Sequence, residues 1–230
     1  MDNAAICREL GIEKTLVTCD NDYIASAKTT LRNGGDDMVI LISAESCTGK
    51  TLMAQKLLEK YYIPYLSVDL IKMGLYRADN NCGFHPEDSN EAIEMHLWPI
   101  LKGIIKTTIE NGQSLIIEGC YISPHRLKEF DKEYSDNIIP VFMGFSKKYI
   151  EDNFISNILK HKGIIERRDE TSDRTIQWFI EAHDKLKSEC SKNSVRYFEI
   201  DNDYTSEVSE IYKWIDLEIK NYPVNLPFLP

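Results

Sequence analysis

Long apolar runs are missing from this 230-residue chain, and its first residues lack a basic start followed by an apolar core. A helix that crosses a bilayer needs about 20 consecutive apolar residues. A secretion signal needs a basic segment before its apolar one. The sequence therefore predicts a protein that works in the cytoplasm and has no membrane partner.

Paired metal-binding motifs are also missing. The six cysteines lie at positions 7, 19, 47, 82, 120 and 190, with no CxxC pair among them, and the five histidines form no HExxH pattern. We therefore expect no structural zinc site. In a reducing cytosol, most of these cysteines are expected to be small buried side chains.

Basic residues are fewer than acidic ones. The chain has 27 lysines and arginines against 37 acidic residues, which gives a formal net charge of −10. Broad nucleic-acid binding needs a basic face, so no nucleic-acid partner is expected. A phosphorylated ligand would need a local cationic pocket against this unfavourable overall field.

From Met38 onward, apolar strands alternate with helical patterns. The predicted strands are Met38–Ser43, Pro64–Val68, Ser114–Ile117, Ile138–Met143 and Val195–Ile200. Strands separated by helices predict a single α/β domain, built as a parallel sheet with helices on both faces. Residues 1–37 differ from the rest and end in a polar turn, so we predict an N-terminal extension (1–37), a main domain (38–222) and a C-terminal tail (223–230).

Polar residues predict where three of the helices begin. A capping-box pattern at Asp88 and Glu91 precedes a long helix at about Asn90–Asn111. Two later helices are predicted to have their caps near Thr171 or Ser172 and at Thr205 or Ser206.

The strongest motif, AESCTGKT, follows the first buried strand and opens a helix. It fits the Walker A phosphate-binding motif, except that Ala44 stands at the first glycine position. Backbone N–H groups of such a loop curl around a phosphate, and the helix points its positive end at it. We predict that ATP phosphates are bound by Ala44, Glu45, Ser46, Cys47, Thr48, Gly49, Lys50 and Thr51.

Within this loop, Lys50 is predicted to reach the β- and γ-phosphates, and Thr51 to ligate Mg²⁺. The alternative is an ordinary strand-to-helix turn. The combination of a buried strand before the motif and a helix after it favours phosphate binding.

The segment SVDLIK, residues 67–72, ends the second predicted strand. It resembles the acceptor-side motif of nucleoside monophosphate kinases, with Lys72 where those kinases have an arginine. It is equally similar to the strand-end aspartate of 2-phosphoglycerate kinases and zeta-toxin-like kinases. The resemblance implies that Asp69 faces the acceptor hydroxyl and takes its proton. Ser67, Lys72 and Arg77 would then contact the acceptor, with Lys72 and Arg77 holding an acidic one. The alternative is that Asp69 only caps the next helix.

The segment SLIIEG, residues 114–119, resembles the strand-plus-acid Walker B element. Glu118 would orient Mg²⁺ or its water shell. The following CYISPHR differs from the Asp-Gly-Phe-Pro-Arg run of adenylate kinases, which weakens the case for a nucleotide acceptor.

The stretch ERRDE, residues 166–170, occupies the place where these kinases carry a lid, so the resemblance implies that Arg167 and Arg168 stabilise the transferred phosphoryl group. The alternative is a solvated run of mixed charge.

Together these motifs resemble P-loop small-molecule kinases. The resemblance implies a three-layer P-loop NTPase fold with a five-stranded parallel sheet in the order 2-3-1-4-5 and a helical lid at about residues 160–175. It also implies a kinase that uses ATP and Mg²⁺ to phosphorylate a hydroxyl of a small metabolite. Three alternatives stay open: a nucleoside monophosphate kinase, an ATP-binding regulatory protein without catalysis, and a toxin-like kinase with an antitoxin partner.

Overall fold

The computed structural model of the protein describes residues 38–79, 81–159 and 175–221. Its strands are β1 Val39–Ser43, β2 Tyr65–Ser67, β3 Leu115–Gly119, β4 Ile138–Phe145 and β5 Tyr197–Ile200. Its α-helices are α1 Lys50–Tyr61, α2 Val68–Ala78, α3 Asn90–Glu110, α4 Lys132–Ser135, α5 Lys147–Asn153, α6 Ile176–Asn193 and α7 Tyr204–Asn221. A 3₁₀ helix spans Pro124–Glu129, and a π-helical segment, Phe154–Leu159, follows α5.

The five strands form one parallel sheet in the order β2-β3-β1-β4-β5, as predicted. The central strand β1 pairs with β3 on one side and with β4 on the other. Because parallel strands all end at the same edge, the segments that follow β1, β2 and β3 meet there. The phosphate-binding motif, Asp69 and Glu118 come from these three strand ends.

The two faces of the sheet bury separate hydrophobic cores, which makes the fold three-layered. Alternation along β1 sends Ile40 and Ile42 into a core with α1 and α7, and Val39 and Leu41 into a core with α2 and α3. All four side chains are fully buried. A strand covered on both faces needs such a continuous apolar run, which explains why β1 is so clear in the sequence.

The second strand is shorter than predicted. Residues 64–68 were expected to form it, but β2 ends at Ser67 and Val68 begins α2. A Cβ atom added to Gly119 would lie 2.7 Å from Val68 Cβ, so the missing side chain at Gly119 lets α2 start directly against β3. As a result, Asp69 lies in the first turn of α2.

The predicted helix caps were wrong in all three cases. The cap of α3 is Ser89, whose hydroxyl accepts a hydrogen bond from Ala92 N at 3.2 Å. Thr175 caps α6 in the same way. Asp203 precedes α7 and its carboxylate accepts from Ser206 N at 2.8 Å. In each case, more than one nearby Ser, Thr or Asp side chain could have capped the helix, so residue type alone did not identify the cap.

The cysteine prediction was also wrong for the part of the chain that the structure describes. Of the four cysteines there, Cys190 is buried, whereas Cys47, Cys82 and Cys120 are partly exposed. Across the described ranges, no cluster of three or more His, Cys, Asp or Glu side chains could hold a metal ion. No helix within them is long and apolar enough to cross a membrane.

Candidate active site

The phosphate-binding loop runs from the end of β1 into the first turn of α1. Thr48 is fully buried and its hydroxyl donates a hydrogen bond to Glu45 O at 2.6 Å, which holds the loop closed. Two residues have a left-handed backbone, Cys47 at φ 66° and Gly49 at φ 86°. Turns of this kind gather backbone N–H groups into anion-binding concavities. The loop therefore has the backbone form that phosphate binding requires.

Alanine at the first motif position is explained by the backbone. Ala44 is not among the residues with a positive φ, so glycine's conformational freedom is unnecessary there. Its side chain is 1% exposed and packs with the core of the α1 face. A small apolar residue is what this position needs, and the departure from the motif leaves the loop intact.

Tyr204 covers the glycine of the loop. Its hydroxyl donates a hydrogen bond to Thr48 O at 3.2 Å, and a Cβ atom at Gly49 would lie 2.0 Å from the same hydroxyl oxygen. Burial raises the pKa of Tyr204 to about 12, so the hydroxyl keeps its proton and stays a donor. Two features therefore favour glycine at position 49: its left-handed backbone and the close approach of the Tyr204 hydroxyl.

Two predicted functional side chains begin α1. Lys50 is 7% exposed and Thr51 is half-buried. Both lie in the first turn of the helix, where the backbone N–H groups and the helix dipole favour an anion.

Glu118 lies at the end of β3, next to the phosphate-binding loop. It is completely buried, and the sheet register sets it beside Ile42 of β1 and Ser67 of β2. A carboxylate from Glu118 and a hydroxyl from Thr51 are both hard oxygen donors, the kind of ligand that Mg²⁺ takes together with waters and substrate phosphates. The side chains present therefore fit a magnesium ion.

Asp69, Lys72 and Tyr121 form a cluster, called here the acidic–basic–phenol cluster, at the ends of β2 and β3. Lys72 Nζ lies 3.0 Å from Asp69 Oδ1 and donates a hydrogen bond to Tyr121 Oη at 2.7 Å. Tyr121 Oη lies 3.5 Å from the same Asp69 oxygen. The side chains of Asp69 and Lys72 are 16% and 11% exposed, so their charges are shielded from most of the solvent.

Cys120 follows β3, which pairs with β1 before the predicted phosphate-binding loop and with β2 before Asp69, so the three segments lie at the same edge of the sheet. Burial raises the pKa of Cys120 to about 11, and the charge of Lys50 opposes that rise. The charges of Asp69 and Glu45 act on the same thiol in the raising direction.

Arg77 does not join this cluster. It is exposed in the last turn of α2, about 12 Å along the helix axis from Asp69. The prediction that Arg77 and Lys72 act together on an acidic acceptor is not supported by this arrangement.

Arg126, at the end of the CYISPHR segment, is paired with two carboxylates. Its Nε lies 3.2 Å from the buried Glu94 carboxylate, and its Nη1 lies 2.9 Å from Glu129. Glu94 also accepts from Ser123 N and from the Ser123 hydroxyl. Arg126 is thus part of a structural network between α3 and the 3₁₀ helix.

Several predictions fall outside the described residues. Arg167 and Arg168 are among them, as is the rest of the predicted lid before Thr175.

Two contributors to the site were missed in the sequence. Tyr121 and Tyr204 carry no motif of their own, and Tyr204 is far along the chain from the Thr48 carbonyl that it contacts. The one available signal is position, because each follows soon after a predicted strand, where ligand-binding residues of such sheets collect.

Comparison with known proteins identifies the fold. A scan against family models and a search of curated proteins each found no match. Among solved structures, a gluconokinase from Sinorhizobium meliloti is similar with a TM-score of 0.51 at 13% identity, over 81% of this chain and 95% of that one. A shikimate kinase from Bacteroides thetaiotaomicron gives 0.45 at 11% identity, over 78% and 98%. The predicted P-loop NTPase fold is confirmed. At this identity, the likeness shows the fold alone.

Proposed function

We propose that this protein is an ATP-dependent kinase that transfers the γ-phosphoryl group to a hydroxyl of a small metabolite. The observation that supports the proposal is that the segments with Lys50, Asp69 and Cys120 follow β1, β2 and β3, whose carboxyl ends are neighbours at one edge of the sheet. A phosphate-binding loop alone fits any nucleotide-binding protein. A shielded carboxylate beside it supplies the hydrogen-bond acceptor that an attacking hydroxyl needs.

On this proposal, the loop amides and Lys50 hold the β- and γ-phosphates of ATP, and Thr51 and Glu118 hold magnesium. When bound, Mg²⁺ neutralises charge on the phosphate oxygens. The side chains orient the two substrates in line, because positioning and charge stabilisation provide most of the rate enhancement in phosphoryl transfer. We also propose that Arg167 and Arg168 approach the transferred group from the predicted lid, and that the enzyme works in the cytoplasm.

Asp69 has the role of orienting the acceptor. Its carboxylate accepts the hydrogen bond of the attacking hydroxyl, whose oxygen forms the new bond to the γ-phosphorus as the bond to the β–γ bridging oxygen breaks. The hydroxyl proton passes to Asp69, and ADP leaves. Lys72, 3.0 Å from the carboxylate, holds Asp69 in a fixed direction before transfer.

The alternatives receive less support from the side chains. A nucleoside monophosphate acceptor needs cations for its phosphate, but Arg126 is held by Glu94 and Glu129 and Lys72 by Asp69. An ATP-binding protein without catalysis has no need for a shielded carboxylate beside the γ-phosphate position.

An Asp69→Asn substitution tests the proposal. It keeps the shape but removes the proton acceptor, so turnover on an alcohol acceptor should fall by roughly 10²–10⁴-fold with nearly unchanged ATP affinity. The matched control is Asp216→Asn, because Asp216 also contacts a lysine and a tyrosine, Lys60 and Tyr61. Lys60 lies about 15 Å along α1 from Lys50, so the control should keep full turnover.

Turnover and ATP affinity are measured separately, by product mass and by calorimetric titration. Full turnover of the Asp69→Asn protein would remove Asp69 from the mechanism. A parent protein that binds ATP but phosphorylates none of a panel of sugars, glycerates and nucleosides would contradict the proposed activity itself.

A further inference from the structure

The proposed function leaves the acceptor open, and the charge of the acidic–basic–phenol cluster narrows it. We propose that the acceptor is an uncharged molecule with two neighbouring hydroxyls, a vicinal diol, bound by Asp69, Lys72 and Tyr121. This inference rests on the proposed kinase activity and adds the chemical class of its substrate.

The cluster is electrically neutral as a unit. Asp69 carries one negative charge, Lys72 one positive charge 3.0 Å away, and Tyr121 is a neutral phenol hydrogen-bonded to the lysine. An acceptor with a carboxylate or phosphate would meet Asp69 as closely as Lys72. Its charge would therefore gain little from the pair, although it would still lose its hydration.

Among the described residues, the other cations considered for an acidic acceptor have other places or other partners. The Arg126 guanidinium is within 3.2 Å of Glu94 and 2.9 Å of Glu129, and its side chain is 20% exposed. Arg77 is at the far end of α2. Lys50 belongs to the phosphate-binding loop. An anionic acceptor would consequently have to compete with an existing carboxylate for Lys72 or for Arg126, which disfavours the acidic acceptor expected from the sequence.

The hydrogen-bonding groups match a diol. A carboxylate only accepts, an ammonium only donates, and a phenol does both, while each hydroxyl of a diol can donate once and accept twice. One hydroxyl can donate to Asp69 and accept from Lys72, and its neighbour can reach Tyr121. The spacing suits this, since Lys72 Nζ lies 3.0 Å from Asp69 Oδ1 and 2.7 Å from Tyr121 Oη, about the separation of neighbouring hydroxyl oxygens.

A buried hydroxyl at the same strand end offers one more polar contact. Ser67 is 4% exposed, and its Oγ has no hydrogen-bond partner among the described residues. It lies two residues before Asp69, at the end of β2. A buried hydroxyl without a partner is costly, so a polar ligand or its bound water that reaches Ser67 gains from satisfying it.

Matched acceptors test the charge preference. ATP-dependent product formation, followed by mass, is compared for D-glucose and D-gluconate, for ribitol and D-ribonate, and for glycerol and D-glycerate. In at least one pair, the kcat/KM of the uncharged acceptor should be at least about tenfold higher than the kcat/KM of the corresponding acid. This factor corresponds to the loss of one hydrogen bond to a charged group. Glycerol and 1,3-propanediol test the second hydroxyl, because 1,3-propanediol has no neighbouring pair of hydroxyls, and removing the pair should cost about tenfold or more in kcat/KM.

Two substitutions should move this preference in opposite directions. Asp69→Asn leaves the Lys72 charge uncompensated. The affinity for an acid divided by the affinity for its uncharged partner, measured by calorimetry in the presence of ADP, should therefore rise about tenfold or more. Lys72→Met leaves Asp69 uncompensated and should lower the same ratio. Asp216→Asn, which disturbs the distant contact with Lys60 and Tyr61, should leave the ratio unchanged. Circular dichroism shows whether each protein is folded.

The outcomes separate the two proposals. A parent protein that phosphorylates an acid or a phosphate ester better than every uncharged partner would overturn the diol inference and leave the kinase activity standing. An unchanged ratio in the folded Asp69→Asn and Lys72→Met proteins would overturn it as well. A parent protein that binds ATP and phosphorylates none of these acceptors would overturn both the inference and the proposed activity.

Discussion

Gly49→Ala is the substitution whose cost can be worked out most fully from the structure. Gly49 has a left-handed backbone, which costs a residue with a Cβ atom about 1–2 kcal/mol. The new Cβ atom would also lie 2.0 Å from Tyr204 Oη, so the tyrosine would have to move and lose its bond to Thr48 O. Overpacking costs about 1–3 kcal/mol and a lost hydrogen bond about 1 kcal/mol. We expect the free energy of unfolding to fall by about 3–6 kcal/mol.

Two further variants separate these contributions. Gly112 also has a left-handed backbone, at φ 62°, but no atom lies within 4 Å of its added Cβ. Gly112→Ala should therefore cost the backbone contribution alone, about 1–2 kcal/mol. In a Tyr204→Phe protein the hydroxyl is gone and the next atom, Tyr204 Cζ, lies 3.2 Å from the Cβ position. Gly49→Ala should then cost nearly as little as Gly112→Ala.

Urea unfolding, followed by circular dichroism, gives the free energy of unfolding of the parent protein and of the three single variants. The same measurement is made on the double variant with Gly49→Ala and Tyr204→Phe. The difference between the cost of Gly49→Ala with and without the Tyr204 hydroxyl is the coupling energy, expected to be about 2–4 kcal/mol. If Gly49→Ala costs no more than Gly112→Ala, or if Tyr204→Phe gives no relief, Tyr204 does not close the loop and the reasoning fails.

Three other predictions concern charge and proton binding. Lys50→Ala should lower turnover about 10²–10³-fold, as when a charge aimed at the transition state is removed. Glu118→Gln should raise the Mg²⁺ concentration that half-saturates ATP binding, measured by calorimetry, by about tenfold or more. Burial lowers the pKa of His183 from 6.5 to about 4, so between these values the unfolded chain binds a proton that the folded chain does not. Stability should therefore decrease as the pH falls, by about 2 kcal/mol from pH 7 to 5, and His183→Gln should flatten that slope in urea titrations.

Each of these three predictions would be contradicted by a specific result. Normal phosphate transfer by Lys50→Ala protein would contradict the phosphate-binding role of the loop. An unchanged Mg²⁺ requirement in Glu118→Gln protein would remove Glu118 from the metal site. The same acid slope in His183→Gln protein would assign the loss of stability to other groups.

The sequence determined the architecture and the location of the site. Continuous apolar strands such as β1, separated by helical patterns, allow a parallel sheet, and the motif after β1 predicts which edge of the sheet would bind phosphate. These signals are local: hydrophobic period, glycine position and the order of residue types are all read over a few neighbours. For that reason the positions of Asp69 just after the second strand and of Glu118 at the end of the third followed from local patterns, whereas the strand order, which the structure confirms, was implied by the resemblance to P-loop kinases.

Only the tertiary structure decided what surrounds those residues. Lys72 follows Asp69 by one helical turn, but their contact depended on α2 beginning at Val68, which the packing against Gly119 determined. Tyr121 comes to the same cluster from the next strand end.

The same holds for Arg126 and Tyr204. Arg126 forms an ion pair with Glu94 from a separate helix. Tyr204 contacts Thr48 although the two are 156 residues apart in the sequence. Contacts between such distant residues are set by how helices pack on the sheet, and no spacing in the sequence encodes them. The charge state of the acceptor site is therefore a property of the folded chain, whereas its position was already present in the order of the residues.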